Sequence, residues 1–448
     1  MEVNKFEDDF ILGTATAAYQ IEGGVNEGGR MPSIWDTFSK KEENVFMGHT
    51  GDIACDHYHR VKEDVKILDN IGVDSYRFSI SWSRIFPCKD EFNPEGVKFY
   101  KNLIRELKDK KIAPAITLYH WDLPQWAQDL GGWENRECIY WFEDYCTKIF
   151  EEFGQDVSMW ITHNEPFCAS ILGNYLGIHA PGNKDLKKAL IVAHHLLLSH
   201  GIVVRAFKKF EFKNSSIGIT LNLSPIYAVS KKKEDVIAAK ISDGYNNRWF
   251  LDPLLKGHYP KDMVDLYEQE VGVLDFILEG DLNIISTDMD FLGINYYTRG
   301  IVEYDEHSQL KFRGVDSEKE KTAMGWENSP ESMHDLLTRI KKEYTKLPLY
   351  ITENGAAYDD VVTEDNKIHD IDRINFIKAH LKVIQEFIKE GGNLKGYYLW
   401  SFMDNFEWAY GYSKRFGMVY VNYNTQERIM KDSSIWYKKL IKARSLEV

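Results

Sequence analysis

Two carboxylic acids sit where a chain built for stability alone has little use for them. Glu353 closes the run Leu349-Tyr-Ile-Thr-Glu353-Asn-Gly355, and Glu165 closes Met159-Trp-Ile-Thr-His-Asn-Glu165-Pro166. Each follows an apolar stretch, and an ionised carboxylate is costly to bury unless it is paired or used. Simpler readings exist for both. Asn354-Gly355 fits a hairpin turn with Glu353 as its solvated shoulder, and Pro166 fits the first turn of a helix led by an acid. No second alternating strand follows Glu353, however. Residues 356–368 are acidic and irregular, and Ile377, Leu381, Ile384 and Ile388 then recur at helical steps. Strand, loop, helix is the unit of a parallel barrel or sheet, whose working residues lie at strand carboxyl ends. Pro166 disfavours the α region for the residue before it, so Glu165 is expected to be extended at its strand end. A pair of strand-end acids suits the hydrolysis of a glycosidic acetal, where one protonates the leaving oxygen and the other attacks or activates water.

The elements that must position these acids recur along the whole chain. Short apolar runs over residues 10–23, 75–87, 112–121, 216–223, 290–298, 348–355 and 394–408, with one more ending at 164–165, each close on polar or aromatic residues. Helical patterns separate them, as where Tyr58, Val61, Val65, Leu68 and Ile71 mark one face. Eight strands interleaved with helices and no break in composition imply an α/β fold, a single-domain (β/α)8 barrel (a TIM barrel) with extended βα loops over residues 1–448. A doubly wound open sheet is the alternative. It would show a glycine-rich phosphate turn after its first strand, and Gly23-Gly24 and Gly28-Gly29 lack that spacing. Residues 299–333 are polar and aperiodic, which predicts a long lid-like or disordered loop. Trp326 inside it reads equally as a plug under the loop or as a substrate contact.

Composition removes several classes of function. A formal net charge of −14 argues against nucleic acid or an anionic membrane as partner. Residues 1–9 carry Glu2, Lys5, Glu7, Asp8 and Asp9 in place of an apolar core, unlike a secretion signal. The apolar segment 189–204, free of Asp, Glu, Lys and Arg, contains three histidines and reads as a buried helix, short of the ~18 apolar residues of a membrane span. Five scattered cysteines without a Cys-x-x-Cys pair fit reduced thiols in a cytoplasm rather than a disulfide frame or zinc site. His57/His59 and His194/His195/His200 lie in amphipathic runs and read as structural. No cofactor or metal is implied, and nothing in the chain bears on oligomeric state.

The motifs are more specific than the pattern. Thr-His-Asn-Glu165-Pro, Ile-Thr-Glu353-Asn-Gly, Tyr119-His-Trp-Asp-Leu-Pro124 and Asn-Phe-Glu407-Trp408 together resemble glycoside hydrolase family 1. So do Thr14-Ala-Thr-Ala-Ala-Tyr-Gln20-Ile-Glu-Gly and Arg415-Phe-Gly-Met-Val-Tyr, and the likeness runs in order through the chain, nearest to bacterial cytosolic β-glucosidases. The resemblance implies a retaining mechanism with Glu353 as nucleophile and Glu165 as acid and then base, the two carboxyls ~5–5.5 Å apart. It implies that Arg77 and Tyr297 flank the nucleophile, with Asn295 as a further support. Gln20, His120, Asn164, Glu407, Trp400 and Trp408 would hold the sugar, and Trp121, Asn222, Trp326 and Phe416 would complete the binding site. The expected substrate is a small β-glucoside or cello-oligosaccharide, with β-galactoside or β-fucoside activity as alternatives. A 6-phospho-β-glycosidase is disfavoured, because Glu407 would repel phosphate and Phe416 stands where that group carries a tyrosine, although Lys414 is present. A non-catalytic sugar-binding barrel would have lost one of the acids. Two residues depart from the family pattern. Phe167 replaces a tryptophan on the leaving-group side. His163 stands at an apolar position, and strict alternation would turn it to the side of Glu165 and send Asn164 away. The strand end must then be irregular, with His163 either perturbing the acid or, as preferred, lying behind it.

Overall fold

The computed structural model describes residues 5–447. Residues 1–4 of the polar amino-terminal stretch, and Val448, lie outside the described residues. The eight apolar runs each contain one strand: β1 (Ile11–Ala15), β2 (Ser75–Ser79), β3 (Ala113–Tyr119), β4 (Met159–Asn164), β5 (Ser216–Asn222), β6 (Phe291–Asn295), β7 (Leu349–Asn354) and β8 (Leu394–Trp400). Every strand pairs in parallel with its neighbours in sequence, and β8 pairs with β1, so the sheet closes into a barrel and the open-sheet alternative falls. Closure covers the inner face of each strand and the surrounding helices cover the outer, which is why the strands are almost wholly buried. The predicted runs are longer than the strands because their polar and aromatic ends leave the ladder to build the loops above the barrel.

Helices cover the outside. His57–Ile71 carries the predicted apolar face, and Ile371–Lys389 buries Ile377, Leu381 and Ile384. The charge-free segment lies in Leu186–Lys208, long and apolar enough for a membrane span, yet 83% of its most apolar window is buried within the protein. Its histidines are structural. His194 bridges the Tyr259 hydroxyl and Asp281 at 3.0 and 2.9 Å, and His195 Nδ1 lies 2.8 Å from the Trp133 carbonyl. His57 Nδ1 is likewise 2.7 Å from Asp64.

The structureless loop expected over 299–333 is corrected. Gly300–Tyr304 pairs in parallel with Ile226–Ala228 and antiparallel with Phe312–Gly314, forming a small three-stranded sheet, and the helix Pro330–Glu343 begins inside the same stretch. Strands of three to five residues are too short for alternation to register. One partner is also some seventy residues upstream, beyond the reach of any local pattern.

Candidate active site

Two-residue alternation fails at both acid-bearing strand ends, and the failure brings the acids together. On β4, Thr162 Oγ1 and His163 Nε2 each lie 2.8 Å from a partner on the helix Leu186–Lys208, His200 and Ser199 respectively. Two consecutive side chains thus face outward. His163 stacks on Phe142, with ring centroids 4.7 Å apart, and so lies behind the acid. Pairing with β5 breaks between Ile161 and Asn164. Asn164 then turns into the barrel, where its Oδ1 accepts from Arg77 at 2.7 Å and from Asn295 at 3.0 Å. Glu165 follows with φ of 49°, so the extended conformation expected for it is corrected. Proline does exclude the right-handed helical region before it, but the chain takes the left-handed well, at ~1–3 kcal/mol. That reversal points Asn164 and Glu165 inward together.

On β7 the pairing with β6 shifts between Ile351 and Glu353. Thr352 Oγ1 donates to Asn295 Oδ1 at 2.8 Å, and the next residue, Glu353, also faces the interior. Gly355 is not the second half of a hairpin turn. A Cβ there would stand 1.7 Å from the Trp400 carbonyl oxygen, so glycine is required for the approach of β7 to β8. Asn354 is held by Tyr296 and Tyr397 behind the site.

The two carboxyl groups have different company. Glu353 Oε1 accepts from Arg77 Nη1 at 2.7 Å and Oε2 from the Tyr297 hydroxyl at 2.6 Å. Arg77 is fully buried in β2 and also donates to Thr117 Oγ1, the Thr352 carbonyl and Asn164. Glu165 has neutral partners: the Asn295 amide on Oε1 at 2.6 Å and the Cys168 thiol on Oε2 at 3.0 Å. Asn295, expected beside the nucleophile, thus bonds the other acid, while still helping to hold Glu353 down. Burial first, and then the charge of Glu353, push Glu165 up to about 7. Burial also raises Glu353, but Arg77 and Tyr297 oppose it. Glu407 is pushed up to about 8 by burial and by both other carboxylates. Burial drives His120 well down, so its imidazole is neutral.

Glu165 and Glu353 line one cleft of about 360 Å³ at the carboxyl ends of the strands, together with His120, Trp121, Asn222, Asn295, Tyr297, Trp326, Trp400, Glu407, Trp408 and Phe416. All of these were candidates from sequence. Gln20, Arg77 and Asn164 lie beneath the lining. Gln20 Nε2 donates to Asn405 Oδ1 and the Phe406 carbonyl at 3.0 and 2.8 Å, and reaches Glu407 at 3.5 Å. His120 Nε2 meets the Asn164 amide at 3.0 Å, and its ring is stacked on both Trp400 and Trp408. Trp326 packs with Tyr297 and Phe416 at the rim, open to the cleft, which decides for a wall residue over a plug. Lys414 is tied to the Ala323 carbonyl at 2.6 Å.

Sequence reasoning passed over Cys168, Leu172, Ile178, His179, Ser224, Thr298, Met324 and Tyr410, which also line the cleft. Most are loop residues without periodicity. The one available signal was their nearness in sequence to Glu165, Asn222, Tyr297 and Trp326.

A closed parallel barrel with ionisable groups converging above its strand ends is the architecture of a large class of enzymes. The profile of glycosyl hydrolase family 1 matches residues 2–446. Beta-glucosidase A of Acetivibrio thermocellus is 51% identical over 98% of this chain and 98% of its own length. A 1,4-beta-D-glucan glucohydrolase of Thermotoga neapolitana is 46% identical over 99% of this chain and 100% of its own. The crystal structure of a GH1 beta-glucosidase from Exiguobacterium antarcticum superposes with a TM-score of 0.97 at 52% identity, covering 98% of this chain and 99% of that one. The chain belongs to glycosyl hydrolase family 1.

Proposed function

We propose that this protein is a retaining β-glucosidase, acting from one barrel domain on terminal β-glucosyl residues of small β-glucosides and short cello-oligosaccharides. The observation that carries the assignment is the unequal company of the two acids. A guanidinium and a phenol favour the ionised form of Glu353, whereas Glu165 has only neutral donors and a like charge nearby, which favours its protonated form. In the first step Glu353 attacks the anomeric carbon while Glu165 gives its proton to the leaving oxygen, and the aglycone departs as an alcohol. Glycosylation removes the charge of Glu353, so Glu165 ionises more readily. In the second step Glu165 takes a proton from water, the water oxygen bonds the anomeric carbon, and Glu353 leaves as a carboxylate.

Gln20 Oε1 and His120 Nδ1 are buried without a protein partner, a cost that sugar hydroxyls would offset. Trp400 and Trp408 offer ring faces to the sugar, and Glu407, protonated below about pH 8, can donate as well as accept a hydrogen bond. Lys414 is tied to the Ala323 carbonyl and does not line the cleft, whereas Glu407 does, which supports the unphosphorylated substrate. Phe167, Leu172, Ile178, Met324 and Trp326 make the remaining walls largely apolar, which favours aryl and alkyl aglycones beside cello-oligosaccharides. Five free thiols fit an intracellular location.

Glu353→Ala tests the assignment. Hydrolysis of nitrophenyl β-glucoside should be abolished, and added azide should restore turnover with α-glucosyl azide as product. Near-wild-type hydrolysis by the folded variant removes Glu353 from the role of nucleophile.

A further inference from the structure

Cys168 has no part in the chemistry described above, yet its sulfur is 3.0 Å from Glu165 Oε2. The residue sits on the first turn after Pro166, where its own backbone N–H donates to the Glu165 carbonyl at 2.9 Å, so thiol and carboxyl belong to one rigid segment. It is buried, at 7% exposure, and belongs to the lining of the cleft.

A carboxyl group offers about four lone-pair sites and, when neutral, carries one proton. On Glu165 each oxygen accepts one donor, the Asn295 amide on Oε1 at 2.6 Å and the Cys168 thiol on Oε2 at 3.0 Å, and the weaker S–H donor makes Oε2 the better seat for the proton. We infer that Cys168 is a positioning residue for Glu165: its thiol donates to one lone pair of Oε2 and so fixes the direction in which the other presents the proton to the leaving group. The inference rests on the reading of Glu165 as acid and base. Burial and the neighbouring carboxylates push the Cys168 thiol well up, so it keeps its proton and remains a donor in both steps. The bond is weak to the neutral acid and stronger to the carboxylate, so it favours the ionised form that must accept a proton from water. The other groups facing Glu165 are Glu353, whose charge raises it, Arg77 and Asn295, which lower it, the neutral Tyr297 phenol, and Glu407, which is itself protonated below about pH 8.

The test compares pH profiles of kcat/KM for Cys168→Ala and Cys168→Ser, with cellobiose and with an activated nitrophenyl glucoside. Removing the donor in Cys168→Ala should move the basic limb upward by as much as about one pH unit, a tenfold change in proton affinity. It should also cut kcat/KM on cellobiose roughly three- to tenfold. Cys168→Ser keeps a donor and should leave the limb at or below its wild-type position. In a Glu165→Ala background, Cys168→Ala should cost nothing more, because a residue acting through Glu165 has nothing left to position. A basic limb unmoved in folded Cys168→Ala, or the same loss with and without Glu165, overturns the inference. Glu165→Ala with azide checks the parent reading separately. A β-glucosyl azide sustains it whatever the thiol variants do, and an α-product removes both.

Discussion

Replacing Arg77 by Met tests the electrostatic core of the site. Arg77 Nη1 lies 2.7 Å from Glu353 Oε1, and both residues are buried. With charge centres about 4 Å apart and an effective dielectric near 20, the attraction is about 4 kcal/mol. Tyr297 stays in place and keeps part of the stabilisation, so loss of the guanidinium raises Glu353, and the limb it governs should move by roughly one to two pH units, within the range typical of a carboxylate that loses an arginine neighbour. The sign follows from the requirement for an ionised nucleophile: the acid limb of kcat/KM moves to higher pH. Glu165, already about 7, rises less because Arg77 touches it only through Asn164 and Asn295. The two limbs close on each other, and the bell narrows and drops. Arg77→Lys restores the charge but not the fork that reaches Thr117 and Asn164. Its acid limb should return most of the way while kcat stays low. Circular dichroism establishes folding, and nitrophenyl β-glucoside hydrolysis across pH gives the limbs. A folded Arg77→Met whose acid limb coincides with that of the wild type refutes the claim that this guanidinium keeps Glu353 ionised.

Three further outcomes follow from the same contacts. Glu407 has a folded pKa of about 8 against ~4.3 unfolded, so the folded state binds the extra proton between those values and loses stability as pH rises through that window. Glu407→Gln should therefore raise Tm at about pH 9 and change it little at about pH 4, and an equal rise at both ends would contradict the shift. His163, held by Ser199 and stacked on Phe142, should accept Phe with no change in either pH limb; a shifted basic limb would mean that it does perturb Glu165. Met324→Gln should lower kcat/KM for octyl and aryl glucosides more than for cellobiose, and a uniform loss would argue against an apolar leaving-group wall.

The barrel was legible because the closed sheet and its helix layer together bury both faces of every strand and leave a plain record in apolar runs. Glu165 and Glu353 were legible because acids ending such runs are anomalous. Backbone irregularity was harder to read. Alternation assigned His163 to the face of Glu165, whereas Thr162 and His163 both face the helices and the reversal at Glu165 turns two residues inward. The signal was nevertheless present. Asn164-Glu165 and Thr352-Glu353 are polar doublets at the ends of buried parallel strands, and in a strict alternation one member of each would be driven into the apolar helix layer without a partner. A register break costs less than that burial, so a polar doublet at such a position predicts a bulge that aims both side chains at the cleft. Asn295 sits on β6 between the two doublets, bonding Glu165 and Asn164 from one and Thr352 from the other, so one ordinary strand end keeps the two irregular ones in register.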